Sequence, residues 1–397
     1  MLHAQPSSLA RKVHGQYYTK AVVGELLVAS LRQNVIATAL ELGAGEGALI
    51  AAAQGRWPDA HFVSVDIDPR NAPIRTIQSR SHFVVDALRH DLPRRIGVAE
   101  ASADLALCNP PFALPQWQRR YQRILERAGL PVAGAATFGA DAFFIAQNLW
   151  LLKEGGELGV IVPAGLVAGS RSQAIREALL EQHDVHQVVE LPAGAFSNTE
   201  VRTYLLCLQK GSGSGSAVVL RYLGADGTER PPIAIQAKQA AQRMDYSHYM
   251  AERQTSSAPL QDHSFQVHRG TIEVGRARDL GANVLHTTDI QRGDVRWAGQ
   301  CNEALPTTAI RAQRGDLLLA RVGRRFFAKI GIFDGEDAPI SDCVFAIRSS
   351  VYQPSELFQA FTSEAGQRWL EGHARGACAR YITKDDLQMF PITELVR

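Results

Sequence analysis

The sequence has few of the features that mark secreted, disulfide-bonded or membrane-spanning proteins. Its 397 residues include only five cysteines, which lie far apart and never in C-x-x-C spacing, so neither a disulfide framework nor a zinc site is indicated. No hydrophobic run approaches the length of a membrane span, and the first residues lack the apolar core of a signal peptide. We therefore expect a cytoplasmic protein that contacts no membrane and uses no metal.

The sequence also lacks a strong net charge. The formal charge is +2 at pH 7, so the molecule as a whole does not attract nucleic acid, and any basic surface has to be local. No internal repeat and no nuclease-like cluster of residues is found. Composition is otherwise that of a globular protein, and the length predicts two domains.

Up to about residue 210, apolar strand-like segments alternate with helical patterns. Because strands separated by helices indicate an open sheet covered on both faces, we predict an α/β fold with a seven-stranded, mostly parallel, Rossmann-like sheet. The last two strands are joined by a loop without a helix, which favours an antiparallel edge pair. The predicted strands are 35–42, 61–68, 82–88, 103–109, 157–163, 185–192 and 201–210.

The remaining third of the chain has a different pattern, with short strands and one helical patch. A flexible "GSGSGS" run at 211–216 precedes a hairpin-like segment, so the boundary is placed later in the chain. We predict an α/β domain at 1–250, a linker at 251–264 and a mixed α+β domain at 265–397. The strands of the second domain are predicted at 316–322, 329–333 and 343–348, followed by helix at about 354–374.

A glycine-rich turn, "LELGAGEG", joins the first strand to the next helix. Gly43, Gly45 and Gly47 let the backbone turn tightly and approach a ligand, with amides directed outward from the helix N-terminus. Asp66 ends the next strand, where an acid would bind ribose hydroxyls, and Asp86 adds an acceptor for an adenine amino group. The turn by itself leaves three hypotheses open: an NAD site, an S-adenosylmethionine site and a plain tight turn.

The fourth strand ends in Asn109, Pro110, Pro111 and Phe112, a sequence with a specific chemical use. An exocyclic amine has to become pyramidal before it attacks a methyl group, and two oxygen acceptors aimed at its N–H groups favour that geometry. The Asn109 side chain and the Pro110 carbonyl supply those acceptors, the prolines make them rigid, and Phe112 offers a face for a base. A dehydrogenase has no use for this tetrad, whereas methylation of an amine does.

These residues resemble the amino-group DNA methyltransferases, specifically the N6-adenine kind that carry NPPF or NPPY. The resemblance covers about 14–210 and includes "GQYYTK" at 15–20, with Lys20 where that family usually has proline. The order of cofactor motif, NPPF and recognition region is that of the gamma group. The resemblance implies transfer of a methyl group from S-adenosylmethionine to an adenine flipped out of double-stranded DNA.

The resemblance also assigns roles to individual residues. Glu41 and Gly43 would contact the methionine part of the cofactor, Asp66 its ribose and Asp86 its adenine. Phe196, in "LPAGAFSNTEVRTYLLCLQK", would stack on the flipped base. The full set of implied cofactor-binding residues is Gln16, Tyr17, Tyr18, Thr19, Glu41, Gly43, Gly45, Gly47, Asp66, Ile67, Asp86 and Ala87.

The C-terminal part resembles, at 315–350 and 362–392, one target-recognition domain of type I restriction specificity subunits. The implied DNA-binding residues are Arg321, Arg324, Arg325 and Lys329. A second basic cluster contains Arg375, Arg380 and Lys384, and a third follows the tetrad at Arg119, Arg120, Arg123 and Arg127. Taken alone, each of the first two clusters is more typical of a solvated charged surface, and the third could face DNA or solvent equally well.

The function predicted from the sequence is sequence-specific DNA adenine-N6 methylation within a restriction-modification system. Its partners would be double-stranded DNA and a separate restriction endonuclease, with the chain a monomer or a homodimer. The alternatives are methylation of RNA adenine or of a protein glutamine amide, and a DNA-recognition subunit without its own catalysis. Asn109 favours adenine over cytosine N4, and Cys108 is predicted to be a packed residue rather than a nucleophile for cytosine C5.

Overall fold

The computed structural model describes residues 19–71, 79–192, 194–196, 201–213, 215–254, 264–297, 299, 305–376 and 379–395. The chain divides into two compact units, Met1–Tyr246 and Ser247–Arg397. A helix at Tyr246–Gln254 occupies the start of the segment 251–264 predicted as a linker, and 255–263 lie outside the described residues. No helix among the described residues is long and apolar enough to cross a membrane.

Within its described residues, the first unit contains one nine-stranded sheet. The strands are β1 (Thr38–Leu42), β2 (His61–Asp66), β3 (Arg80–Val84), β4 (Ala103–Cys108), β5 (Leu152–Pro163), β6 (His183–Glu190), β7 (Thr203–Ser212), β8 (Val218–Tyr222) and β9 (Ile233–Ile235). Their order across the sheet is β3-β2-β1-β4-β5-β7-β6-β8-β9. Five of the neighbouring pairs are parallel, and the pairs β5–β7, β6–β7 and β8–β9 are antiparallel.

Helices connect and flank these strands. The helices of the first unit are α1 (Ala21–Ala29), α2 (Ala48–Arg56), α3 (Leu92–Ile96), α4 (Arg119–Arg127), α5 (Ala140–Leu151), α6 (Ala164–Ala168), α7 (Gln173–Gln182) and α8 (Ala237–Gln242). The helix α9 (Tyr246–Gln254) starts at the last residue of this unit. The prediction of an α/β fold with a mostly parallel sheet is confirmed.

The predicted count of seven strands is wrong for the described residues, because the hairpin after the GSGSGS run joins the sheet. β8 pairs in parallel with β6, and β9 pairs antiparallel with β8. Val218, Leu220, Ile233 and Ile235 are buried and recur at every second position, so one face of the hairpin is apolar and requires cover. The predicted antiparallel pairing of β6 with β7 is observed, but the pair does not form the edge.

Several strand boundaries also differ from the predictions, most of all those of β3 and β5. β3 covers 80–84 rather than 82–88, and β5 starts at Leu152, directly after α5, rather than at 157. Gly156 lies inside β5, where a Cβ atom would come 3.0 Å from the carbonyl oxygen of Ala103 on β4. Glycine is therefore needed there because the two strands approach closely.

The central strands place the ends of β1, β2 and β4 at one edge of the sheet. β1 pairs in parallel with both β2 and β4. The chain adds β2 and β3 on one side of β1 and then β4 on the other side, so the order of the strands reverses beside β1. All six residues of β4 are buried, as expected for a parallel strand covered on both faces. In such sheets a crevice opens outside the carboxyl ends of the strands at this reversal.

Arg176 on α7 is a buried cation that joins three helices of the first unit. Its side chain is fully buried, and Nη1 donates to the carbonyl oxygens of Leu166 and Gly169, each at 2.8 Å. Nε and Nη2 donate to the carbonyl oxygens of Ala241 and Gln242 at 2.9 and 2.7 Å. These carbonyls end α6 and α8, where the helix dipoles favour a positive charge.

Replacement of Arg176 by methionine should lower the free energy of unfolding by about 3–5 kcal/mol, because several buried carbonyl groups lose their donor together. Denaturant unfolding followed by circular dichroism measures the change. Arg171, which is exposed on the preceding turn, is the matched control, and Arg171→Met should stay within about 0.5 kcal/mol of the parent. Equal effects of the two substitutions would contradict this account.

The second unit has a four-stranded antiparallel sheet among its described residues. The order is β10-β17-β14-β15, formed by β10 (Phe265–Arg269), β14 (Leu317–Ala320), β15 (Ile330–Ile332) and β17 (Val344–Ser349). The pairs β11 (Ile290–Gln291) with β12 (Asp294–Val295) and β13 (Arg311–Ala312) with β16 (Ala338–Pro339) form two small sheets. The helices are α10 (Val274–Asp279), α11 (Pro354–Thr362), α12 (Glu364–His373), α13 (Lys384–Gln388) and α14 (Ile392–Leu395).

Candidate functional site

A cavity of about 420 Å³ lies at the carboxyl ends of the parallel strands of the first unit. It collects side chains from the ends of β1, β2 and β4 and from the segment after β3. The predicted residues that line it are Thr19, Glu41, Gly43, Gly45, Asp66, Ile67, Asp86, Ala87, Asn109 and Pro111. Gly47, Pro110 and Phe112 are not part of this lining as far as the described residues define it.

The glycine turn adopts a backbone shape that favours glycine. Gly43, Gly45 and Gly47 all have positive φ, at 77°, 53° and 77°, and Gly47 is the residue before α2. The Gly43 amide donates to the carbonyl oxygen of Val65 on β2 at 2.8 Å. The turn therefore stays close to the sheet and forms one wall of the cavity.

Asp66 is fixed by backbone amides on both sides of its carboxylate. Oδ2 accepts from the Gly45 amide at 2.7 Å, and Oδ1 accepts from the Asp68 amide at 2.8 Å. A carboxylate has about four acceptor positions, so the two amides orient the group without using its full capacity. Ile67 beside it is 53% exposed and lines the cavity, which offers apolar surface for a flat ring.

Asp86 takes part in an ion pair that the sequence did not predict. Oδ2 lies 2.8 Å from Nη2 of Arg120, and the two side chains are about 30% exposed. Oδ1 accepts from the Leu88 amide at 2.9 Å. Arg120 also lines the cavity, so one member of the basic cluster after the tetrad belongs to this site.

Glu41 is a buried acid at the carboxyl end of β1. It is only 2% exposed, and burial raises the pKa of its carboxyl group from 4.5 to about 8, against the opposing effect of Arg80. Its Oε2 accepts from the Ile50 amide at 3.3 Å. An acid held in this state favours a positively charged ligand group, because the ligand's charge stabilises the ionised carboxylate.

Asn109 follows β4 and is held in place by Thr19, the first described residue of the chain. Its Nδ2 donates to Oγ1 of Thr19 at 2.9 Å, which assigns the amide orientation, and both residues line the cavity. Cys108, one residue earlier, is fully buried and its Sγ donates to the Leu42 carbonyl oxygen at 3.1 Å. Burial raises the pKa of this thiol, and the prediction of a packed cysteine is confirmed.

The two predicted aromatic residues lie beside each other. The rings of Phe112 and Phe196 are 6.5 Å apart and nearly perpendicular, and Phe196 is 3% exposed within the apolar core. Nζ of Lys20 donates to the Gly194 carbonyl oxygen at 2.8 Å. Lys20, which stands where the motif at 15–20 usually has proline, thus connects the segment of Thr19 to the loop that contains Phe196.

The remaining predicted residues are placed as follows. Gln16, Tyr17 and Tyr18 lie outside the described residues. In the second unit, Arg321 donates to the Asp342 carbonyl oxygen at 2.8 Å and Lys329 to that of Thr287 at 2.7 Å.

The second unit therefore uses several of its basic side chains internally. Arg324 and Arg325 are exposed. Arg375 pairs with Asp386 at 2.8 Å and Arg380 with Glu371 at 3.1 Å, while Lys384 is exposed. At least four of the seven basic residues in the two predicted clusters of this unit thus have structural contacts.

Comparison with known proteins finds a family match within the first unit. Residues 63–244 match the N-6 DNA Methylase family. The first unit, which contains the matching residues, is called the methylase domain below. The match confirms the predicted family resemblance for this part of the chain, and it does not extend to the second unit.

The curated relatives are similar to the methylase domain over limited lengths. The type I restriction enzyme MpnII methylase subunit of Mycoplasma pneumoniae is 27% identical over 114 residues, which are 28% of this chain and 21% of the relative. The type II methyltransferase M.XamI of Xanthomonas campestris pv. amaranthicola is 26% identical over 213 residues, which are 50% of this chain and 39% of the relative. The chain thus spans about a fifth to two fifths of these relatives.

One solved structure resembles nearly the whole chain in fold. The type IIG restriction endonuclease BpuSI superposes with a TM-score of 0.56 and 12% identity, over 96% of this chain and 59% of that chain. At this identity the likeness concerns the fold alone.

Three features of the methylase domain could not be found from the sequence. Arg120 and Phe144 line the cavity and Lys20 contacts one of its loops, but no motif signals any of these contacts. Arg120 had only the signal of a basic cluster after the tetrad. Phe144 lies on the apolar helix α5, where a cavity-lining ring and a core ring give the same sequence pattern. Its Cε1 would lie 3.3 Å from a Cβ at Gly43.

Proposed function

We propose that the methylase domain is a DNA adenine-N6 methyltransferase that uses S-adenosylmethionine and acts on an adenine flipped out of double-stranded DNA. The observation that carries the proposal is the position of Asn109 in one cavity with Glu41 and Asp66. The family of residues 63–244 and the names of the two curated relatives support a restriction-modification setting.

The cavity residues fit the proposed cofactor chemically. Glu41 would hold the ammonium group, since a buried acid with a raised pKa gains most from a cation. Asp66 would accept from the ribose hydroxyls, and Ile67 would cover the adenine ring. Asp86 would accept from the adenine amino group through a carboxylate that Arg120 holds in place. When bound, S-adenosylmethionine supplies a methyl group attached to a positively charged sulfur.

The tetrad would supply the chemistry on the target base. Oδ1 of Asn109 and the Pro110 carbonyl oxygen would accept the two N–H groups of the adenine amine, which favours its pyramidal form and stabilises the positive charge that develops there. Thr19 orients the Asn109 amide by accepting from Nδ2. The amine nitrogen would take the methyl group as its bond to sulfur breaks, which leaves the sulfur neutral. The methylated amine would then release one proton to solvent, so a general base is not required before transfer.

The flipped base needs a surface to replace the stacking it loses in the duplex. Flipping costs a few kcal/mol, and stacking on an aromatic ring returns about 1–3 kcal/mol. Phe112 is half-buried and is the more accessible member of the aromatic pair, and Phe196 contacts it edge-on. We propose that Phe112 stacks on the base and that Phe196 holds the Phe112 ring in position. We also propose that Arg324 and Arg325, which are exposed, contact DNA phosphates.

A substrate competition with labelled cofactor tests this function. Purified full chain is incubated with tritiated S-adenosylmethionine and a mixture of duplex DNA, RNA and protein extract, and each fraction is counted. The expected result is label in DNA, and only in duplexes that contain adenine in a particular sequence. Label in RNA or protein would support the alternative substrates, and label in none of the three across diverse DNA would indicate a recognition subunit without catalysis.

A further inference from the structure

A cluster of three metal-ligating side chains lies in the second unit, outside the proposed methylation site. His248 and Glu252 are on α9, and His373 is the last residue of α12. One ligand atom from each of the three lies within 4.8 Å of the others. The two histidines are buried and Glu252 is half-buried. The cluster was not predicted, because His248 and His373 are far apart in the sequence.

His248 and Glu252 are one helical turn apart and face the same point. Nε2 of His248 lies 3.3 Å from Oε1 of Glu252, which is close to the separation of two ligands around one tetrahedral ion with bonds of about 2.0–2.2 Å. Nδ1 of His248 is buried and has no hydrogen-bond partner among the described residues. The described residues thus give this imidazole a polar contact at Nε2 and none at Nδ1.

His373 is oriented in the way that metal-binding histidines usually are. Its Nδ1 lies 2.9 Å from the carbonyl oxygen of Trp369, so Nδ1 carries the proton and Nε2 carries the lone pair. Its ring also stacks on the Trp369 ring at 3.7 Å, which fixes the plane. A backbone carbonyl that holds Nδ1–H is the common outer-shell partner of an Nε2 ligand.

The two helices that carry the cluster are held close together by glycine. A Cβ atom at Gly372 would come 2.5 Å from Cβ of Ala251 and 3.1 Å from the Ser247 carbonyl oxygen. The rings of His248 and His373 are 4.6 Å apart and nearly perpendicular. The close helix contact therefore sets the spacing of the ligands independently of any ion.

We propose that His248, Glu252 and His373 bind one divalent transition-metal ion. Two neutral imidazoles and one carboxylate form a donor set suited to Zn²⁺, with water as the fourth ligand, whereas Mg²⁺ and Ca²⁺ prefer oxygen ligands alone. The ion would lie between His248 and Glu252 in place of their direct contact. Because His373 is on α12, the ion would also link α9 to α12. Its role is structural, since it joins the helix that follows the methylase domain to the core of the second unit.

Zinc binding by the full chain tests the proposal directly. The metal-free protein is titrated with Zn²⁺ against a chromophoric chelator, and Tm is measured with and without Zn²⁺. We expect one tight site per chain and a Zn²⁺-dependent rise in Tm. Loss of an outer-shell partner costs 10–100-fold in metal affinity, so His248→Gln and His373→Gln should each weaken binding by at least about 100-fold and abolish the rise in Tm.

His268 is the matched control, because it is half-buried in the same unit, has an unsatisfied ring nitrogen and lies outside the cluster. His268→Gln should bind Zn²⁺ like the parent chain. Failure of the parent chain to bind stoichiometric Zn²⁺, or equal binding by the His373 and His268 variants, would overturn the proposal. If the cluster variants fail to fold, Co²⁺ bound to the parent decides: an intense tetrahedral visible spectrum supports the site, and the weak spectrum of hydrated Co²⁺ overturns it.

Discussion

Asn109→Ala is expected to lower the rate of methyl transfer by about 100- to 1000-fold, the cost of removing one preorganised polar group from a reaction centre. The affinity for S-adenosylmethionine should change by only a few-fold, because the residues proposed to hold the cofactor are on other strands. Single-turnover transfer to duplex DNA measures the first quantity, and calorimetric titration of the cofactor measures the second.

Two further variants separate the role of the oxygen acceptor from a general disturbance of the cavity. Asn109→Asp keeps an acceptor but loses the donor to Thr19, so its rate should fall between those of the parent and the alanine variant. Gln122→Ala, on the exposed side of α4, should leave transfer unchanged. An alanine variant that retains the parent rate, or that loses cofactor binding and transfer to the same extent, would contradict the proposed role of Asn109.

Glu41→Gln is expected to stabilise the ligand-free chain and to weaken cofactor binding. The pKa of Glu41 is about 8 in the folded chain against a model-compound value of 4.5, so folding favours the protonated acid. The associated stability is fully present below about pH 4.5 and is lost as pH rises through about 8. Glutamine cannot ionise, so the variant does not lose stability as the pH rises. At pH 8 its free energy of unfolding should exceed that of the parent by about 2–4 kcal/mol.

The same group predicts the pH dependence of cofactor affinity. A cationic ligand binds the ionised carboxylate, so binding releases a proton below pH 8, and the affinity should rise by up to about tenfold per pH unit between pH 6 and 8. Glu41→Gln should bind weakly at every pH, without this slope. Calorimetry in buffers of different ionisation enthalpy measures both the affinity and the proton released.

Glu46→Gln is the control for both effects, since Glu46 is exposed in the same turn and also lines the cavity. It should change neither the stability at pH 8 nor the slope of affinity with pH. A flat pH profile in the parent chain, or a Glu41 variant that is less stable than the parent at pH 8, would contradict the assignment of Glu41.

The sequence predicted the methylase fold and the position of its motifs because both depend on local patterns. Apolar strands, glycines that require positive φ and a strand that ends in two prolines are features of neighbouring residues. Asp66, Asp86 and Asn109 were expected at one edge because parallel strands place their carboxyl ends together, and they line the same cavity.

The contacts that could not be predicted depend on residues far apart in the sequence. Arg120 pairs with Asp86 across the site, and Lys20 binds the loop of Phe196, but nothing near either residue signals its partner. In the second unit, Arg321 and Lys329 were predicted to contact DNA, and both donate hydrogen bonds to backbone carbonyl oxygens. A basic cluster has the same composition whether its side chains bind phosphate or stabilise loops.

The most direct test of the account is the chemical identity of the methylated base. Plasmid DNA exposed to the full chain and S-adenosylmethionine is digested to nucleosides and analysed by mass spectrometry, with the Asn109→Ala variant treated in parallel. The account predicts N6-methyldeoxyadenosine as the product of the parent chain and a drop of at least about 100-fold in the variant. Methyl groups on cytosine, or DNA left without N6-methyldeoxyadenosine under conditions in which the cofactor binds, would contradict it.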